Sequence, residues 1–405
     1  MTKSDLLFLA SVLTLPLQLN KFFFPDFSFV LGIPIDYRAI SIYFSDFFIV
    51  AYVFAYFIEN RHQLPKIYKT QRNFVLALML LNFYLLLSSL ALSIDKLPSI
   101  IFNLKTLEFS LFAVFGSLSL SKKQTFKWSL NLIAVSVIWQ SALAVFQFIL
   151  QKSLGFWILG ERNFGTLTPS IAHVNFLGSQ WLRPYGAFPH PNVLAAYLLI
   201  ALILIYSYKT QTKNLTWLRP TALAMSLSGV FITFSKAAYL SLLAAIVVNS
   251  RDLKYALFKI IVSACLLVAF TLTITEGQIA SITERFTLAK AAYDINLKNP
   301  LFGIGSNNFI LELSRLNLFS ISEVRLLQPV HNVFLLILAE NGIVGLLLFA
   351  YLLYTIFKNA TASPKIALTA AILIFLSVDH FLWTLHQGRF LFFLTSAYIL
   401  SPPNA

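Results

Sequence analysis

Charged side chains are scarce in this sequence: 11% of its 405 residues are Asp, Glu, Lys or Arg, against 58% hydrophobic. So little polar surface cannot cover a core of that size in water, which excludes a soluble globular enzyme. Cysteine is nearly absent. A lone Cys265 excludes a disulfide framework and a thiolate metal site. The chain also lacks a Walker loop, a glycine-rich dinucleotide fingerprint and a Ser-His-Asp arrangement, so nothing points to nucleotide-driven or serine-hydrolase chemistry. His380 and His386 are six apart and fall on different helix faces, so the histidines show no metal-ligand spacing. An internal repeat is missing too, which weighs against an inverted-repeat transporter.

What the sequence has in abundance is apolar runs of membrane length. About twelve are read, near 6–20, 41–58, 74–94, 98–120, 128–150, 191–208, 217–234, 236–249, 255–275, 331–357, 365–380 and 388–401. The expected fold is all-α, a polytopic transmembrane helical bundle. Residues 6–19 resemble a signal-peptide core, but no small-residue cleavage site follows, so a retained first helix is expected.

A net charge of +14 invites a nucleic-acid reading, and the placement of the basic residues argues against it. Arg61, Lys66, Lys69 and Arg72 follow the second run, Lys122, Lys123 and Lys127 the fourth, and Lys209, Lys213 and Arg219 the sixth. Arg251 and Lys254 follow the eighth, and Lys358 and Lys365 the tenth. With twelve spans these loops all share one side, which the positive-inside rule makes cytoplasmic together with both termini. The partners expected are therefore anionic lipids and no nucleic acid.

Two stretches on the opposite, outer side are too long and polar for turns: 151–190 and 276–330. The second carries Glu284, Arg285, Lys290, Asp294, Lys298, Glu312, Arg315, Glu323 and Arg325, with Phe286, Ala289, Ala292 and Tyr293 at helical spacing, and reads as a small helical outer subdomain. Pro300, Gly303 and Gly305 interrupt it with a turn.

Two polar segments run directly into apolar helices. In Trp181-Leu-Arg-Pro-Tyr-Gly-Ala-Phe-Pro-His-Pro-Asn192, Pro191 suits a first helical turn, and His190 or Asn192 could cap it. A capping role with an interfacial Arg183 is one reading, a binding site the other. Gln328-Pro-Val-His-Asn332 opens another helix on the same side. Arg183, His190, Lys236, Arg285 and His331 would then gather beside two helix N-termini, a cationic pocket suited to a diphosphate. A neutral histidine there could take a proton from a sugar hydroxyl.

Arg183-Pro-Tyr-Gly-Ala-Phe-Pro-His-Pro-Asn192, Thr233-Phe-Ser-Lys-Ala-Ala238, Pro300-Leu-Phe-Gly-Ile-Gly-Ser-Asn-Asn-Phe309, His331-Asn332 and Glu340-Asn-Gly342, in that order, resemble the O-antigen ligase and polymerase superfamily. The likeness spans roughly 181–345; the first half of the chain agrees only in hydropathy and span number. It implies a GT-C-like glycosyltransferase of the bacterial inner membrane, with its site facing the periplasm or cell exterior. An undecaprenyl-diphosphate-linked glycan would be the donor, a glycolipid, glycan or protein hydroxyl the acceptor, and no metal or cofactor would be needed. The resemblance makes His331 the base and puts Arg183 and Arg285, with Lys236, on the diphosphate. His190, Asn192, Gly303, Gly305, Asn332 and Glu340 would support them. Where the family commonly has Ser-Arg, this chain has Ser235-Lys236, and lysine loses the bidentate fork.

The expected division is 1–180 for N-terminal helices and the first outer loop, 181–357 for the ligase-like core, and 358–405 for C-terminal helices. Glu340 reads equally as a functional intramembrane acid or a packing contact beside Asn341-Gly342. Lys105 and Glu108, three apart, are expected to neutralise each other. Asp379, His380, His386 and Arg389, at the outer end of the eleventh and twelfth runs, could line the acceptor entrance or sit at the membrane interface, and the interface is the expectation. Ligase, polymerase and non-enzymatic transporter of lipid-linked glycan all remain compatible with these residues.

Overall fold

The computed structural model describes residues 1–63, 71–176, 178–208, 216–248, 277–316 and 326–401. The expected ninth span with Cys265, and Lys66, Lys69, Lys209, Lys213, Arg251, Lys254, Glu323 and Arg325, lie outside them.

The chain is a helical membrane protein. Among the described residues four helices are long and apolar enough to cross a bilayer: Arg72–Ala91, Lys96–Ser119, Lys123–Leu150 and Val333–Phe357. Pro191–Ser207, Leu218–Ile232, Lys236–Val248 and Ser363–Val378 are apolar but shorter. The closely spaced seventh and eighth runs are thus two separate helices, parted by Thr233-Phe-Ser235, where Phe234 adopts a left-handed φ of 52°. The first helix, Lys3–Thr14, ends earlier than its hydropathy indicates, because Pro16 cannot extend the hydrogen-bond ladder.

Lipid cannot drive helices together by excluding water, so small residues and polar contacts between helices carry the packing. Tyr52 and Ser119 share a 2.9 Å hydrogen bond, and the Tyr398 hydroxyl donates to Ser129 at 2.7 Å. At Gly229 a Cβ would meet Leu198 Cδ1 at 2.6 Å, so glycine sets how closely those two helices approach.

Among the described residues, strand is confined to three two-stranded antiparallel pairs in the connections, a departure from the all-α expectation. Asn20–Phe23 pairs with Ile40–Tyr43, Phe29–Val30 with Ile33–Pro34, and His173–Phe176 with Ser179–Leu182. The segment between the first two helices is therefore a folded unit, which hydropathy alone passed over. Buried Arg38 holds it in place, pairing with Asp95 at 2.5 Å and donating to the Asn307 carbonyl at 2.8 Å.

The described residues of the polar stretch 276–330 include the helices Gly277–Lys298 and Phe309–Leu313. The turn between them docks into a break in Val333–Phe357 at Gly342, whose φ of 61° and ψ of −169° are open to glycine alone. Gly305 N donates to Glu340 O at 2.7 Å and Ile343 N to Pro300 O at 2.9 Å, so the turn satisfies backbone groups that the break releases. Glu340 Oε1 accepts from Phe309 N at 3.1 Å, at the start of the short helix. Gly342→Ala is expected to destabilise the protein by about 2 kcal/mol, because the new Cβ would lie 2.3 Å from Leu301 C. Thermal unfolding in detergent would measure it.

Candidate active site

Three breaks in helical structure converge at one end of the bundle: 183–192, 326–332 and 379–386. The first is shaped by buried glutamines of Lys123–Leu150. Gln147 Oε1 accepts from Tyr185 N and Gly186 N at 2.9 and 2.8 Å, and Gln140 Oε1 from Ala187 N at 2.9 Å. Gly186 sits at φ 56°, and a Cβ there would lie 2.3 Å from Gln140 Oε1. Sequence reasoning passed over these glutamines; amides placed seven apart in an otherwise apolar helix were the available signal.

Positioned in this way, Arg183 donates through Nε to Thr233 O at 2.7 Å and through Nη2 to Asn192 Oδ1 at 2.8 Å. Burial pulls its guanidinium down to about 10, still charged at neutral pH. Asn192 then donates through Nδ2 to Asp379 Oδ2 at 2.8 Å. The other carboxylate oxygen of Asp379 accepts from His380 N at 2.8 Å and stands 3.6 Å from His331 Nδ1. That separation is close for an ion pair and long for a hydrogen bond.

Asp379 and His380, 6% and 4% exposed, are buried among these groups. A charged pair at a helix end looks the same in sequence whether the next residues turn outward to water or, as here, inward. His380 Nδ1 shares a 2.7 Å hydrogen bond with Thr384, and its ring lies 5.2 Å from that of His331. Burial would raise the Asp379 carboxyl, but His331 and the charge of His380 outweigh it and hold the group well below the usual range.

Arg285, on helix Gly277–Lys298, donates to Val378 O at 2.9 Å beside Asp379. Lys236 opens helix Lys236–Val248 and stands near enough to Arg183 and Arg285 for their charges to act on it. Asn332 caps Val333–Phe357 by accepting from Leu335 N at 3.0 Å and donates to Ser377 O at 2.8 Å. His190 caps Pro191–Ser207, its Nδ1 accepting from Asn192 N at 3.1 Å. So His331, Arg183, Arg285, Lys236, His190, Asn192 and Asn332 are brought together, whereas Gly303, Gly305 and Glu340 serve the turn against the broken helix.

His331, Asp379 and His380 place three possible ligand atoms within 4.8 Å of one another, an arrangement that linear spacing did not foreshadow. Among the described residues, those three are the ones that could hold a divalent cation.

A cavity of about 820 Å³ opens beside this cluster, large enough for several sugar rings. His190, His331, Asp379 and His380 line it together with Tyr37 and Trp157.

Burial and the Arg183 charge depress His190 to about 4, and burial depresses His380 to about 3, from an ordinary 6.5. The unfolded chain takes up these protons first as pH falls, so stability present above about 6.5 drains away toward 4. A lower melting temperature at pH 4.5 than at pH 7.5 is expected. His190→Asn, which keeps the cap and removes the proton site, should reduce that difference.

Residues 221–350, less than half of the chain, match the family model described as O-Antigen ligase. The matched segment contains Lys236, Arg285, His331 and Asn332, and leaves Arg183, Asn192 and Asp379 outside. No curated protein matches the chain.

Proposed function

We propose, from a chain whose segment 221–350 places it with the O-antigen ligase superfamily, that it is a membrane glycosyltransferase. It moves an oligosaccharide or polysaccharide from an undecaprenyl-diphosphate carrier to an acceptor hydroxyl in cell-surface polysaccharide biosynthesis. The observation that carries this reading is the chain of contacts from Arg183 through Asn192 and Asp379 to His331. It ties an anion-binding group to a base through one buried carboxylate.

With Nδ1–H directed at Asp379, His331 offers Nε2 as the base. It takes the proton of the acceptor hydroxyl, whose oxygen attacks the anomeric carbon while the bond to the diphosphate breaks. Configuration inverts, and no covalent intermediate forms. Asp379 stabilises the imidazolium produced. Arg183, Arg285 and Lys236 stabilise the charge growing on the leaving diphosphate, where preorganised cations in a poorly hydrated site act most strongly. Because diphosphate leaves readily, no separate strong acid is needed. A GT-C-like bundle, a site facing outward from the inner membrane and independence from metal belong to the same proposal.

Polymerase action, with a second lipid-linked chain as acceptor, uses the same residues. The test is transfer by the purified protein from a synthetic lipid-diphosphate glycan, with excess chelator and no energy source, reading the anomeric configuration of the product. Transfer with inversion is expected. Transport of the lipid-linked glycan without transfer would overturn the enzymatic reading, and loss of transfer on chelation would make the His331-Asp379-His380 cluster a metal centre.

A further inference from the structure

The cavity beside His331 does not end there. Its lining continues to Tyr43, Phe102, Lys105, Phe109, His386 and Arg389, a polar cluster that the transfer chemistry leaves unused. Lys105 is the tenth residue of Lys96–Ser119, roughly 14 Å along the helix at 1.5 Å per residue. The cavity therefore reaches well into the bundle, where ionisable groups are costly and mark functional positions.

Arg389 is 7% exposed and sits in the first turn of His386–Leu400. Its guanidinium touches only neutral groups at long range: Phe102 O at 3.3 Å, Thr384 O at 3.4 Å and Thr106 Oγ1 at 3.5 Å, with the Phe102 ring 4.1 Å away. Its Nε is buried without a hydrogen-bond partner, and no carboxylate among the described residues lies within 4.0 Å of it. Glu108 and Asp46 act on Arg389 only through space, without a direct ion pair, and a buried guanidinium so left is disfavoured unless an anion reaches its fork.

Lys105, the second cation on this wall, pairs with Asp46 and lies 3.4 Å from Glu108. Its principal partner is thus Asp46 rather than Glu108 alone. Neither acid lines the cavity, which therefore meets the two cations while the acids stand behind them. His386 cannot supply the missing negative charge, because an imidazole is neutral or cationic; its Nε2 shares a 2.7 Å hydrogen bond with Ser45, its Nδ1 stands 3.6 Å from Asp46, and its ring stacks on Tyr43 at 3.8 Å. The free amides at the start of His386–Leu400 add to the positive end.

We propose that the inner end of this cavity is a subsite for an anionic group on the acceptor saccharide, a sugar carboxylate or a phosphate ester. Arg389 and Lys105 hold the anion while a hydroxyl of the same saccharide reaches His331. The inference rests on the transferase reading only in calling the guest an acceptor.

Calorimetric titration of the purified full chain, with no donor present, tests the binding directly. The probes are a disaccharide ending in glucuronic acid, its glucose counterpart, the same counterpart phosphorylated at the terminal sugar, and inorganic diphosphate. At least one acidic disaccharide is expected to bind about tenfold or more tighter than the neutral one, as charge-assisted hydrogen bonds allow. Arg389→Gln and Lys105→Gln should each erase most of that preference, while Arg183→Ala keeps it and loses diphosphate affinity. Should Arg389→Gln fail to fold, Arg389→Lys, which keeps the charge and loses the fork, should narrow the preference. Equal binding of acidic and neutral sugars by the wild type, a preference that survives at Arg389, or diphosphate affinity that depends on Arg389 would each overturn the subsite. Because no transfer is measured, failure here is separable from failure of the glycosyltransferase reading.

Discussion

Replacing His331 by alanine is expected to lower glycan transfer on the order of 100-fold or more, because a general base acts in the transition state and contributes little before it. Donor affinity should stay within about twofold of wild type, since His331 stands on the Asp379 side of the contact chain and Arg183 at its far end. Arg183→Ala is the matched contrast. It removes a charge-assisted partner of the diphosphate, typically worth about 1.5 to 3 kcal/mol, so binding and rate should fall together. A titration with labelled lipid diphosphate and a transfer assay on the same preparations separate the two. Wild-type transfer by His331→Ala would leave the histidine a helix-end anchor, and loss of donor binding would move it into the diphosphate pocket.

Asp379→Asn is expected to cost a comparable factor in rate, again on the order of 100-fold, with donor binding changed far less. The amide keeps the shape of the side chain, so the hydrogen bond from Asn192 can persist at one oxygen. What it loses is negative charge beside His331, 3.6 Å away. Without it the imidazolium formed in the reaction is no longer stabilised, and the nitrogen that faced a carboxylate can face an NH2 group instead. Thermal unfolding in detergent distinguishes this from a mere packing defect: the melting temperature of Asp379→Asn should stay near wild type while transfer falls, and should drop along with transfer if Asp379 only holds the fold. An unchanged rate would remove Asp379 from the mechanism.

Much of the helical framework was legible because its cause is local. Apolar runs of membrane length and basic loops in alternation mark helices wherever they pack, and observed helices such as Arg72–Ala91 and Lys123–Leu150 lie within a few residues of the expected runs. Pro191 and Asn332 declared helix starts through chemistry confined to one turn, and Gly303 and Gly305 declared a turn through their own backbone freedom. His331, Arg183 and Arg285 stood out as polar groups at the ends of apolar segments, and a family resemblance gave them roles.

The tertiary structure decided what those residues meet. Asp379 is 48 positions from His331 and 187 from Asn192, and no periodicity links residues across such separations. The same holds for Arg389, whose direct contacts in the folded chain are carbonyls, a hydroxyl and an aromatic ring in place of a carboxylate. The folded segment 20–43 was silent in hydropathy because it is set by strands pairing within the segment and by Arg38 reaching Asn307, not by a run of residue types. Sequence by itself determined which segments are helices and which ends are polar, since both follow from side chains acting within a turn or against lipid. Which polar ends share one buried carboxylate depends on helices distant in the chain coming together, and only the fold settles that.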